Sequence, residues 1–539
     1  MNRQLQLRQV VAGLVTLTAF ALLALVGCTS LGHLWAGSSC TITVLETNDI
    51  HSNLFPWKHK DSSGHQAQIS VSEVGGFARI AAIVDDVRKT EPNVLVLDAG
   101  DRFYPNSLAK WHGGPEIGAM NLIGYDCAAL GNHEFDLGEE LLGAALDQAR
   151  FPFVCANIDV SGSPPLAGKI DRYVIKEVGG HSIGIFGLIT PNLESISHPS
   201  PQVEVERDLA GQAWEMVAYL SPRTELVFAL THVGLKQDIK LAESVSGIDV
   251  VFGGHSHDAL VEPIEATNPA GETTLVVQSG CYGRYVGRLR LDCSADGVSS
   301  YNWSLLKVDE AVEESDRVAS FLGPFRVVDE ESIGIIDADL DLSGAASATQ
   351  DSTIGTLVCD AMAEAFPTAS VVMMNSGGIR GDFQPAGSIT RSRIDEILPF
   401  HNKIVLVWVT GAELKSILER SVCALPEPSG GFLQMRGVEV EVDVAGPAML
   451  MAGRGKPVRP GERIAAVSIA GKPLDEGKEY LVATINYLAD GGDGYVELAG
   501  AEKRLETGRS LNDIFEDYII QHTPLRPERA TTYRLVKHQ

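Results

Sequence analysis

The segment at residues 131–136 reads GNHEFD. A turn needs one or two residues of this kind, because Gly, Asn and Asp supply turn geometry at little cost. Asn132, His133, Glu134 and Asp136 in one short stretch exceed that need, and each can bind a metal or move a proton. Partners occur elsewhere: Asp49 and His51 in DIH, Asp101 after a glycine, His232 after a threonine, and His255 and His257 in GGHSH. Together Asp49, His51, Asp101, Asn132, His232, His255 and His257 offer oxygen and imidazole nitrogen but no thiolate. That mixture suits zinc, manganese or iron rather than calcium, which takes oxygen ligands. The set is too large for one tetrahedral ion. It suits two divalent ions that share one carboxylate and stand about 3.5–4 Å apart.

Such side chains need a scaffold that delivers them to one place. The apolar runs TITVLE, NVLVLDA, YDCAAL, ELVFAL and IDVVF are each followed at once by Asp, Asn or His, in TNDIH, GDRF, GNHEFD, THVG and GGHSH. In α/β sheets the C-terminal strand edge is where ligands bind, so buried strands alternating with helices are the expected architecture. Asp98, inside LDAGD, is expected to hydrogen-bond structurally rather than to ligate. Residues 307–332, charged and helical in pattern apart from a Gly-Pro break, suggest a connector. From residue 333 a second α/β unit is expected, with strands in ASVVMMN, KIVLVWVTG, GVEVEVD and YLVATINYL. Met373 and Met374 belong to its core.

A chain of 539 residues exceeds one ordinary core, and two domains are the natural division. Its net charge of −27, without a Lys/Arg run, argues against a nucleic-acid polymer as partner but leaves small phosphate esters open. Eight cysteines include no C-x-x-C pair, and most lie in apolar runs, which favours buried unpaired thiols. The N-terminus is basic at Arg3 and Arg8 and apolar from Val10 to Gly27. LVGC at 25–28 resembles a bacterial lipobox, which implies a cleaved signal over 1–27, a lipidated membrane-anchoring Cys28 and a tether over 28–40. The implied location is extracytoplasmic, in the cell envelope.

The ordered series DIH (49–51), GD (100–101), GNHE (131–134), TH (231–232) and GHSH (254–257) resembles the calcineurin-like metallophosphoesterase superfamily. QSGCYGRYVGRL (278–289) resembles the segment that closes this domain in the secreted 5'-nucleotidase and UDP-sugar hydrolase branch. The resemblance implies a four-layer α/β/β/α sandwich over 41–306, a helical linker over 307–332 and a C-terminal α/β nucleotide-recognition domain over 333–539. It further implies one metal held by Asp49, His51, Asp101 and His257, and a second held by Asp101, Asn132, His232 and His255, with Asp101 bridging. His133 would stand over the phosphate and protonate the leaving oxygen, with Asp136 orienting it. Glu134 would support the site from behind. Water activated by the two metals would attack phosphorus without a covalent intermediate.

In the second half, DSTIGTLVCDAM (351–362), NSGGIR (375–380), LPFHN (398–402) and NYLADGGDGY (486–495) resemble the branch's nucleotide site. They imply Asn375 and Arg380 at the base or ribose and the anionic end, and Phe400 and Tyr487 stacked on the base. Asn402 would meet the base edge and Asp493 the ribose hydroxyls. Two departures stand out: Thr356 replaces a usual Asn, and SGAASATQ before Asp351 lacks the usual arginines. A 5'-nucleotidase is expected, with UDP-sugars, 2',3'-cyclic nucleotides or a sulfur ester as alternative substrates. A surface protein that binds nucleotide or metal without turnover is the alternative of another class. Domain rotation during turnover is implied by the family likeness, and oligomeric state is left open.

Overall fold

The computed structural model describes residues 40–61, 70–197, 199–294, 297–326, 332–452 and 456–536. The predicted signal, Cys28 and nearly all of the tether lie outside the described residues. Among the described residues no helix is long and apolar enough to cross a membrane.

The N-terminal half is built on two stacked sheets. The strand Cys40–Thr47 begins the first and pairs in parallel with Val94–Asp98 and antiparallel with Tyr285–Ser294. Cys127–Ala129, Phe153–Val154 and Ile170–Asp171 extend the sheet in parallel on one side, and Gly297–Lys307 closes the other. The second sheet runs in parallel through His181–Ile189, Leu226–His232, Val250–Phe252 and Thr273–Val277, with antiparallel strands at both edges. Its central strands are apolar on both faces, as parallel strands covered on both sides must be.

Ile42, Val44, Leu95, Leu97, Ile183, Phe228 and Phe252 fill the space between the sheets. The outer face of the first sheet is covered by Phe77–Thr90, Gly114–Ile123 and Glu139–Leu146. Leu209–Leu220 and Leu235–Ser244 cover the second. The result is the four-layer α/β/β/α sandwich that the family resemblance implies. Within the acidic segment after 307, the helix Asp316–Leu322 buries Val318 and Leu322 among the first-sheet helices.

The C-terminal half has one apolar core. Its main sheet runs in the order Leu433–Arg436, Val371–Asn375, Glu479–Ile485, Lys403–Thr410, Lys503–Ser510. Met373 and Met374 are fully buried in it. The helix Thr353–Ala365 starts at Ser352, whose hydroxyl accepts from Gly355 N, and Gly411–Ser421 starts with a capping box between Thr410 and Glu413.

Candidate active site

Each ligand candidate leaves a strand of the stacked sheets at its C-terminal end. Asp49 and His51 follow Cys40–Thr47, Asp101 follows Val94–Asp98, and Asn132 follows Cys127–Ala129. His232 ends Leu226–His232, and His255 and His257 follow Val250–Phe252. The backbone turns sharply there: Asp49, His51, Asp101, His255 and His257 have φ of 51°, 50°, 54°, 79° and 62°. Such left-handed non-glycine residues are uncommon, and their concentration at one site is a mark of functional constraint. Close backbone approach reinforces it. A Cβ on Gly131 would meet Asp101 Oδ1 at 2.2 Å, and one on Gly254 would meet His232 Nδ1 at 2.9 Å.

The side chains converge. His51 Nε2 lies 3.1 Å from His257 Nε2 and 3.7 Å from Asp49 Oδ1. His257 Nε2 is 3.3 Å from Asp49 Oδ1, and His232 Nε2 is 3.0 Å from Asp101 Oδ2. Three donor groups have metal-ligand spacing: Asp49–His51–His257, His51–Asp101–His133 and Asp101–His232–His255. Asp101 links the last two. Among the described residues, buried Asn132 Oδ1, Asp49 Oδ1 and His232 Nε2 have no directed hydrogen bond. Orphaned buried donor atoms facing one another, all oxygen or imidazole nitrogen, are what a divalent cation satisfies.

Electrostatics agree with that fit. Burial opposes ionisation of Asp101, yet His232, His133 and His51 hold its carboxyl well below the usual carboxylate range. Burial also opposes charge on His232, but Asp101 and Asp49 raise its pKa to about 9. The carboxylates thus take positive charge from protonated imidazole. His255, buried beside His232, is lowered to about 4 and stays neutral, the state in which imidazole ligates. His232 Nδ1 donates to Ala99 O at 2.8 Å, which directs Nε2 toward Asp101.

His133 Nδ1 donates to Asp136 Oδ2 at 2.5 Å, and Asp136 Oδ1 accepts from Ser197 Oγ at 2.9 Å. Burial lowers the His133 pKa, but Asp136 and Asp101 outweigh it and raise the value. Glu134 is placed behind the ligands. Its carboxylate accepts from the backbone N–H groups of Gly131 (2.6 Å), Asp101 (3.0 Å) and Arg102 (2.9 Å), fixing the loop that carries Asp101. Asp98 receives Thr47 Oγ1 and the buried Arg102 guanidinium, a structural network as expected.

The C-terminal half reaches this space. Arg380 Nη2 lies 3.2 Å from His133 Nε2. The Phe400 ring lies 5.9 Å from that of His133 and 5.3 Å from the Arg380 guanidinium. Asp493, in a left-handed turn at φ 54°, accepts from Asn375 Nδ2 (2.7 Å) and Tyr487 Oη (3.0 Å). Tyr487 Oη also points to Ser195 O of the N-terminal half, at 3.4 Å. Asn402 follows Phe400, and its carbonyl accepts from Leu511 N. His401 is half exposed beside Asp395.

Sequence reasoning missed several residues. Tyr104 stacks on His51 with ring centroids 4.6 Å apart, and Tyr282 tilts against both His51 and His257. Aromatics three residues after GD and just before a glycine were the available signal. Arg420, facing Asp493, had no signal because its helix carries the charge pattern of an ordinary solvated face.

Two stacked sheets with acid, amide and imidazole gathered at one strand edge define a metal-dependent phosphoester hydrolase. The calcineurin-like phosphoesterase model matches residues 42–259, and the 5'-nucleotidase C-terminal domain model matches 332–500. The crystal structure of a 5'-nucleotidase precursor from Thermus thermophilus superposes with a TM-score of 0.85. That protein is 31% identical, over 93% of this chain and 100% of its own. The 5'-nucleotidase of Bos taurus is 29% identical over 92% of this chain and 91% of its own length. A trifunctional nucleotide phosphoesterase of Bacillus subtilis is 29% identical over 89% of this chain and 34% of its own. The chain belongs to the calcineurin-like phosphoesterases, in the branch that carries a 5'-nucleotidase C-terminal domain.

Proposed function

We propose that the chain hydrolyses extracytoplasmic nucleoside 5'-monophosphates to nucleoside and phosphate. One observation carries this reading. The C-terminal half brings Arg380 and Phe400 against His133, at the mouth of the ligand cluster. A phosphate facing the ligands and a base facing Phe400 are thereby bound by different halves.

Asp49, His51, Asp101 and His257 would hold one divalent cation. Asp101, Asn132, His232 and His255 would hold the other, with Asp101 shared. When bound, zinc, manganese or a similar ion supplies Lewis-acid stabilisation and activates water for attack on phosphorus. His133 gives a proton from Nε2 to the ester oxygen as its bond to phosphorus breaks. Asp136 holds the opposite ring nitrogen and stabilises the charged imidazole. Arg380 neutralises phosphate oxygens. Phe400 and Tyr487 take the two faces of the base, Asn402 its edge, and Asn375 and Asp493 the ribose. Each Asp493 oxygen already accepts one protein hydrogen bond and keeps a second lone pair for a hydroxyl.

The same reading divides the chain into a cleaved signal (1–27), a tether from lipidated Cys28 (28–40), the hydrolase domain (41–306), a linker (307–332) and the recognition domain (333–539). A second reading keeps the metals and changes the ester to a UDP-sugar or a 2',3'-cyclic nucleotide. It is favoured by the absence of arginine between Ser343 and Gln350. Product analysis after chelation and after restoring manganese or zinc decides between them: phosphate from AMP or 3'-AMP, UMP with glucose 1-phosphate from UDP-glucose, and a nucleoside monophosphate from 2',3'-cyclic AMP. Metal-restored release from AMP with 3'-AMP spared is the expected result. Activity confined to another ester overturns the nucleotidase assignment and leaves the chemistry.

A further inference from the structure

We propose that Cys40 and Cys293 close a disulfide across the first sheet, fastening the strand at which the chain enters the domain. The inference rests on the extracytoplasmic placement, because only an oxidising compartment makes such a bond persist.

The geometry comes from the sheet. In the antiparallel pairing of Cys40–Thr47 with Tyr285–Ser294, Cys40 stands directly opposite Cys293. Directly opposed residues share a face, with Cα atoms about 4.5 or 5.5 Å apart depending on the pair type. Both spacings fall within the range of about 4.4–6.8 Å that disulfides span. The register is pinned at the next pair, where Thr41 Oγ1 donates to Asp292 Oδ1 at 2.8 Å. Each thiol is close enough to shift the other's ionisation. Both face the layer between the sheets, Cys293 buried and Cys40 half-buried at its edge.

Position gives the bond a purpose. Cys40 begins a strand that leads directly into Asp49 and His51. A cross-link at the tether end keeps that strand in register with the last long hairpin when the anchor is pulled or the edge frays. Closing a loop of this length is where a disulfide restrains the unfolded chain most. The chemistry balances simply. Two S–H bonds break and one S–S bond forms. Two electrons and two protons pass to a disulfide donor, which leaves as two thiols.

The test uses the full chain. Protein equilibrated with oxidised glutathione, alkylated and digested without reductant is expected to yield a linked peptide pair containing Cys40 and Cys293, two hydrogens lighter than the separate peptides. The apparent Tm should exceed that of Cys293→Ser by about 5 °C. Phosphate release should stay within about twofold, since Cys40 lies roughly 30 Å from the site along its strand. Cys40→Ser gives the same readout if Cys293→Ser folds poorly. Both thiols remaining alkylatable at equilibrium overturns the proposal. Alkylation directly in the cell envelope separates the two assumptions. A pair that links with glutathione but is extracted reduced overturns the compartment and not the pairing.

Discussion

Asp49, His51, Asp101, His255 and His257 hold left-handed backbone conformations at strand ends, whereas Asn375 and Phe400 sit on ordinary backbone and, of the predicted recognition residues, only Asp493 is left-handed. The first group is complete without substrate but incomplete without cations, since several buried donor atoms there lack partners. In the second group Asn375 and Tyr487 both donate to Asp493 and, among the described residues, Asn375 Oδ1 alone of these atoms is left without a partner. Ligands on strained backbone, most of them buried, belong to a site that must not move while charge develops. Hydrogen-bonded recognition groups belong to a surface that exchanges partners with each substrate. The contrast predicts that changes in the first half act on kcat and changes in the second act on KM.

The largest effect is expected at the bridging carboxylate. Asp101→Asn should lower kcat for AMP by about 10³-fold or more, without rescue by added manganese or zinc. Chelation of the unaltered chain should match that loss reversibly and lower its Tm, because a bound cation stabilises only the folded ligand set. Both readouts matter. An unchanged Tm on chelation would break the claim that this half is held together by cations.

His133→Ala comes next, at about 10²–10⁴-fold in kcat. Asp136→Asn sharpens the assignment through its pH profile. The Asp136 and Asp101 carboxylates raise the His133 pKa against burial, so the protonated acid persists to higher pH. Removing the Asp136 charge lowers that pKa, and the basic limb of the rate profile should move to lower pH. A limb that stays in place, with only the amplitude reduced, would assign Asp136 to geometry alone.

Phe400→Ala tests the second half directly. Loss of one stacking face costs about 1–3 kcal/mol, so KM for AMP should rise roughly 10–100-fold with kcat little changed. A phosphate ester without a base should be hydrolysed as before. If both substrates suffer equally, Phe400 serves by packing on His133, 5.9 Å away, and the division between the halves fails there.

The donor cluster was legible because metal ligation needs particular residue types, and parallel strands place them at one edge in chain order. DIH, GD, GNHE, TH and GHSH therefore named the cluster from the sequence alone. The conformations that aim it were not legible. Nothing in Asp49 or His257 as letters announces φ above 50°, and only the folded chain shows how closely neighbouring loops approach Gly131 and Gly254 beside them. Tyr104 and Tyr282 escaped because aromatic residues near turns are ordinary core material, and only folding brings both beside His51. Arg380 was visible as a cation in NSGGIR, but its contact with His133 spans 247 positions and depends on how the halves meet.

The smallest effect concerns that meeting. His59, on the hairpin strand Trp57–Asp61, pairs with Asp382 just beyond Arg380 at 2.5 Å, and both side chains are 18% exposed. A partly exposed polar pair of this kind contributes at most about 1 kcal/mol, so Asp382→Asn should change the rate by no more than about fivefold. The direction carries the information. If the halves must separate to release product, weakening this contact raises kcat and raises KM together, as for a closure that limits turnover. If the observed arrangement is the working one throughout, the same change lowers kcat/KM by loosening Arg380 and leaves no gain in kcat. Steady-state rates for AMP with the Asp382→Asn chain, set beside His59→Ala to confirm that the pair acts as a unit, distinguish a latch that opens each cycle from a fixed seam.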